Sequence, residues 1–113
     1  MNDLKLMSST VPRIGGPPLS MAEAEVYLPQ IPDWNIIEIE GIERLERQYK
    51  FNNFQEALEF TNRIGELAEQ EDHHPAILIE WGKVKVNWWT HAVGGLHLND
   101  FILAAKSDQN YKN

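Results

Sequence analysis

The sequence predicts an α+β domain, a four-stranded antiparallel sheet with three helices packed on one face. Three observations lead there: two β-rich runs that each turn at one glycine, Gly41 and Gly82; a long amphipathic run between them; and a shorter helical pattern at either end. In order they read helix, two strands, helix, two strands, helix, which suits an antiparallel sheet covered from one side.

Each element has its own signal. Residues 1–19, with "SSTVPRIGGPPLS" at Ser8–Ser20, concentrate Gly, Pro and Ser without apolar periodicity and read as an irregular tail; a single domain follows over 20–113. Ser20 is placed to cap a short helix, with Glu23 at the capping-box position and Pro29 ending it. In "WNIIEIEGIERLERQYKF" the residues alternate on both sides of Gly41, as a hairpin requires. Then Phe54, Ala57, Leu58, Thr61, Ile64 and Leu67 or Ala68 recur at helical spacing behind Asn52 or Asn53 as cap. After Pro75, "AILIEWGKVKVNWWTH" forms a second hairpin at Gly82, with Val84, Val86 and Trp88 opposite in phase to Lys83, Lys85 and Asn87. "NDFILAAKSDQNY" closes the chain as a helix, capped by Asn99 or Asp100 and burying Phe101, Leu103 or Ala104, and Ala105.

Composition narrows the function classes. A chain of 113 residues, 42% of them hydrophobic, suits one domain with a modest core. The absence of cysteine removes disulfides, thiolate metal sites and thiol nucleophiles, and fits a cytoplasmic protein. There is no signal-peptide pattern and no run near the roughly 18 apolar residues that a membrane span needs. A net charge of -7 argues against a nucleic acid partner, which needs clustered cations.

The chemistry concentrates in "EQEDHHP", Glu69–Pro75, where two of four histidines stand side by side behind carboxylates. Glu69 and His73, four apart at a helix end, can share one face, and the helix dipole there favours a charged imidazole. His74 precedes proline and is pushed toward extended geometry, so the two rings can point apart. If the second hairpin ends beside this helix exit, His91 of "WWTHAVGG" joins them, with Glu69, Asp72 and Asp100 around one pocket. No strong metal-ligand spacing such as H-E-x-x-H occurs, and no serine stands in a nucleophile elbow. Two readings stay open from the residues alone: structural histidines in ordinary ion pairs, or acid–base elimination of water by two imidazoles of opposite protonation state. Trp81, Trp88 and Trp89 can stack on a planar ring or serve as core and interface residues.

The ordered series Glu69, His73-His74-Pro75, Trp81, His91 and Asp100 resembles the signature of the pterin-4a-carbinolamine dehydratase family. Trp34 opening the first strand, "TH" and "GGL" after the last, and "DFILA" in the final helix extend the resemblance over about residues 20–106. The resemblance implies a lyase without cofactor or metal that converts 4a-hydroxytetrahydropterin to quinonoid dihydropterin, recycling the pterin cofactor used by aromatic amino acid hydroxylases. It implies that His73 and His91 exchange protons with the C4a hydroxyl and N5, and that His74 orients the ring. Asp72, Trp89, Thr90 and Ala92 fall on family substrate-contact positions, and Glu69, Trp34 and Asp100 are expected around the pocket. A homodimer or homotetramer is implied as well. The chain departs from many relatives in Ala92 and Val93, and in His97 where threonine is common; His97 is read as a surface or helix-start residue. The same family fold also serves as a protein-binding module, as in a transcriptional dimerisation cofactor or a Rubisco assembly factor, which is the alternative function.

Overall fold

The computed structural model describes residues 3–111. Helix α1 spans Met21–Tyr27, strands β1 and β2 span Asn35–Ile39 and Ile42–Lys50, and α2 spans Phe54–Glu71. Strands β3 and β4 cover Ala76–Glu80 and Lys83–Trp88, and α3 closes the fold at Leu98–Tyr111. The four strands form one antiparallel sheet in the order β1-β2-β4-β3, so the two hairpins join through their inner strands, with Leu45 opposite Trp88 and Tyr49 opposite Val84. The α+β architecture is the one the periodicities predict.

Local chemistry accounts for the element ends. Ser20 and Glu23 form a reciprocal capping box at α1. Between Ile39 and Ile42 the two turn residues Glu40 and Gly41 both have positive φ, the backbone whose twist matches a two-residue hairpin. Asn53, one of the two expected caps, accepts from the Glu56 N–H at the start of α2. At the other end Asp72 is left-handed, with φ 50° and ψ 45°, a conformation that Asp tolerates better than most residues.

One face of the sheet carries the core. Leu45 and Tyr49 of β2 and Val84, Val86 and Trp88 of β4 alternate along their strands and are buried together with Ala57, Phe60, Ile64 and Ala68 of α2. The Tyr49 and Phe60 rings stand 4.5 Å apart, and truncating a ring such as Phe60 to alanine in a core of this kind costs about 3–5 kcal/mol. Residues Asn99–Ala105 of α3 are all buried, and α1 packs onto that helix through Tyr27 against Phe101.

The start of α3 differs from the expectation. Helix α3 begins at Leu98, not after Asn99 or Asp100; both lie in its first turn, and the His97 ring accepts from the Asn99 N–H. The segment before Ser20 is without long elements apart from a 3-10 turn at Leu4–Leu6, yet it is held to the body. Leu4 is wholly buried and its N–H donates to Gln30. Further on, the N–H groups of Ser9, Thr10, Gly15 and Leu19 donate to Glu71, Asn99, Ala92 and Leu96.

Candidate active site

His73 leaves the end of α2 and lies flat against the indole of Trp88, with ring centroids 5.8 Å apart and planes 10° from parallel. The inward phase of Trp88 on β4 supplies that platform. Nε2 of His73 stands 2.7 Å from Oδ1 of Asp100, and the Thr90 hydroxyl lies 3.4 Å from the same nitrogen. The imidazole is 10% exposed and the carboxylate is fully buried.

Asp100 gathers donors from three parts of the chain. Its Oδ2 accepts from the Thr90 hydroxyl at 2.8 Å and from the His97 backbone N–H at 2.9 Å. With Asp100 as a carboxylate, which only accepts, the His73 tautomer that completes this contact carries its proton on Nε2 and has Nδ1 as its acceptor nitrogen. The first turn of α3 supplies the positive end of a helix dipole, which steadies the buried negative charge.

Helix α3 is capped by an imidazole, a feature the sequence reading did not identify. His97 Nδ1 accepts from the Asn99 N–H at 3.0 Å while Asp100, three residues on, accepts from His97 N–H. This is the reciprocal arrangement of a capping box with histidine in place of serine or threonine. Burial lowers the proton affinity of His97 below the ordinary imidazole value, Asp100 opposes that, and the neighbouring His73 adds to the lowering. The signal available in sequence was the H-x-x-D spacing of "HLND".

His74 faces solvent and pairs with Glu69 through Nε2 and Oε2. Glu69 was expected to share a face with His73. Instead, the left-handed Asp72 swings the chain out of helical register, and Glu69 meets the following residue. Asp72 therefore terminates α2 between Glu69 and the two histidines.

His91 opens a 3-10 turn, His91–Val93, directly after Thr90, so the residue that holds Asp100 also anchors His91. The His91 ring is exposed and lies 5.0 Å from the Trp89 ring at 54°. Ala92 offers its carbonyl to Gly15 N–H. The structure thus joins His73, Thr90 and Asp100 in one hydrogen-bonded group, with Trp89, His91 and Ala92 flanking Thr90 in the chain, and with the exposed His74, paired to Glu69, next to His73 in the chain.

Trp34 is not part of that group. Its indole N–H donates to Asp108 Oδ1 at 2.9 Å, two turns further along α3, where the Tyr49 hydroxyl and the Arg47 guanidinium converge on the same oxygen. Burial, then the Asp108 charge, pushes the Tyr49 phenol far above its ordinary range, so it acts here as a fixed donor. Two clefts of about 560 and 740 Å³ open on this side of the molecule, with Tyr111 in both linings and none of the histidines in either. Trp81, exposed at the β3–β4 turn, also stands apart from the histidine group.

Among the described residues no cluster of three or more His, Asp or Glu side chains has the geometry to hold a metal ion. The His73 imidazole is held in orientation by a buried carboxylate, a pairing of the kind that proton transfer uses.

Comparison with known proteins gives a consistent result. The sequence family described as Pterin 4 alpha carbinolamine dehydratase matches residues 17–110. A curated relative from Microcystis aeruginosa, named as a pterin-4-alpha-carbinolamine dehydratase, is 58% identical over 98 residues, 87% of this chain and 84% of its own. Another of that name from Syntrophotalea carbinolica is 53% identical over 108 residues, 96% of each chain. Among solved structures, a transcriptional coactivator/pterin dehydratase from Brucella melitensis superposes with a TM-score of 0.75 at 28% identity, covering 83% of this chain and 98% of that one.

Proposed function

The chain belongs to the pterin 4 alpha carbinolamine dehydratase family, and on that premise we propose that it removes water from a 4a-hydroxytetrahydropterin to give the quinonoid dihydropterin, in the cytoplasm. The observation that carries the catalytic reading is the contact between His73 and the buried Asp100. An oriented imidazole with one free ring nitrogen is what a proton relay needs.

The step balances without any added group. The C4a–O bond breaks as one imidazolium protonates the departing hydroxyl, and the other, neutral imidazole takes the N5 proton. The N–H electron pair becomes the new C4a–N5 double bond, and water leaves. His73, through Nδ1, and His91 are the two proton carriers; they end with exchanged protonation states, which solvent resets. His74, backed by Glu69, holds the pterin ring, and Asp72, Trp89, Thr90 and Ala92 line it. A second, protein-binding role is supported by the printed description of the Brucella structure, which couples coactivator and dehydratase.

The test is turnover of a chemically generated 4a-hydroxytetrahydropterin. Replacing His73 and His91 together by alanine should lower kcat by roughly 10²-fold or more, the range for losing a general acid or base. His74→Ala should act mainly on KM, because a contact made equally in ground and transition states contributes uniform binding. Wild-type turnover by the double variant would overturn the assignment.

A further inference from the structure

Arg44 stands out among the cations of this chain. It lies on β2 opposite Ile37, on the sheet face away from Leu45 and the helices, and its guanidinium carbon sits 3.8 Å from the centroid of the Trp89 ring. Its Nε is buried without a hydrogen-bond partner, and no carboxylate among the described residues reaches it. Arg47, by contrast, is held by Asp108 and Asp33, while Arg63, whose Nε is likewise buried without a partner, donates through Nη2 to the Asn110 carbonyl. Glu46, on the same face two residues along, accepts from the Asn87 amide.

In a chain with 17 acidic against 10 basic residues, an arginine without a carboxylate is an unmet demand. A partly desolvated guanidinium left unpaired costs free energy, which stacking on an indole offsets only in part. Its fork of N–H donors matches an oxyanion with two acceptors, such as phosphate or carboxylate.

Position decides which part of a ligand it meets. The Trp89 ring is in contact with both the Arg44 guanidinium and the His91 ring. In the pterin, N5 is bonded to C4a on one side and to C6 on the other, so the C6 substituent is the next group outward from the reacting atoms. Resting on the dehydratase reading above, we propose that Arg44 binds an oxyanion carried on the C6 side chain, which makes this protein selective for pterins with an anionic substituent. Trp89 serves as the floor shared by the ring and the guanidinium.

Two measurements test this and separate it from the reaction. Stable 7,8-dihydropterins, one with a methyl group at C6 and one with a phosphate- or carboxylate-bearing side chain, are titrated against the intact protein by tryptophan fluorescence and calorimetry. The same pair, as 4a-hydroxytetrahydropterins, is then compared in turnover. Charge-assisted hydrogen bonds of this kind correspond to roughly tenfold or more in affinity. The wild type should therefore prefer the anionic analogue about tenfold, Arg44→Gln should collapse that ratio toward one, and Arg44→Lys should restore part of it. Raising the salt should shrink the preference in the wild type alone. No preference in the wild type, or an Arg44→Gln change that weakens both analogues equally, overturns the proposal. Arg44-dependent binding of the anionic analogue without turnover of either substrate would sink the dehydratase reading and leave the oxyanion site standing.

Discussion

Asp100 Oδ1 and His73 Nε2 stand 2.7 Å apart across 27 residues of sequence, and the carboxylate is closed off from solvent. Because Asp100 also holds Thr90 and the start of α3, it ties the His91 turn, the His73 ring and a helix end to one buried charge.

Asp100→Asn should keep the shape but place an amide donor where only acceptors serve, turning the His73 tautomer. A kcat lower by roughly 10²-fold to 10⁴-fold is expected, the span seen when an orienting carboxylate is lost. Unchanged kcat in a folded Asp100→Asn protein would remove Asp100 from the proton relay. Asp100→Ala should also lose about 3 kcal/mol in urea unfolding, since it strands the Thr90 hydroxyl and the His97 N–H in the interior.

The imidazole cap predicts a pH signature. His97 binds a proton less readily in the native protein than in the unfolded chain, so protons favour unfolding. Its contribution is complete above the ordinary imidazole value of 6.5 and is lost as the pH falls through the lower native value. His97→Thr caps the helix without titrating. Its unfolding midpoint should therefore fall less than that of the wild type between pH 7.5 and 5, with Asp100 and His73 the titratable groups facing the site in both proteins. Parallel curves would exclude the cap as a titrating element.

The N-terminal segment is clasped at Asn99, whose side chain accepts from Thr10 N–H and donates to Thr10 C=O. Hydrogen exchange should show protection at Thr10, Gly15 and Leu19, whose amides donate to the body, and little at Val11, whose side chain is fully in solvent. Asn99→Ala should raise exchange at Thr10 and cost about 1 kcal/mol or more. Immediate exchange of all these amides in the wild type would mean that the segment is undocked in solution.

Strands β1 and β3 are the two edges of the sheet, and Leu78 on β3 and Ile39 on β1 are exposed. Unpaired edges with apolar residues favour association, so a homodimer or homotetramer is expected by light scattering at micromolar concentration. A monomer there would count against it.

Much of the fold was legible because local periodicity and local chemistry agree. Phe60, Ile64 and Ala68 repeat on one face of α2 behind a capping Asn53, and Val84, Val86 and Trp88 alternate as a half-buried strand must. The histidines, too, could be singled out by order and spacing. Their partners could not. Spacing paired Glu69 with His73, but a single left-handed residue, Asp72, gave Glu69 to His74. Trp34 looked like a pocket residue by resemblance, yet its indole reaches Asp108, 74 positions away.

What the sequence alone determined is the set of long elements, the caps of α1 and α2 and the candidate groups, because these follow from interactions within a few residues of chain. Tertiary structure alone decided that the inner strands β2 and β4 join the hairpins and that Asp100 closes on His73. It alone also left Arg44 over Trp89 without a counter-ion among the described residues. Those outcomes depend on which distant donors and acceptors packing brings within hydrogen-bond range once water is excluded, and no local pattern encodes that distance.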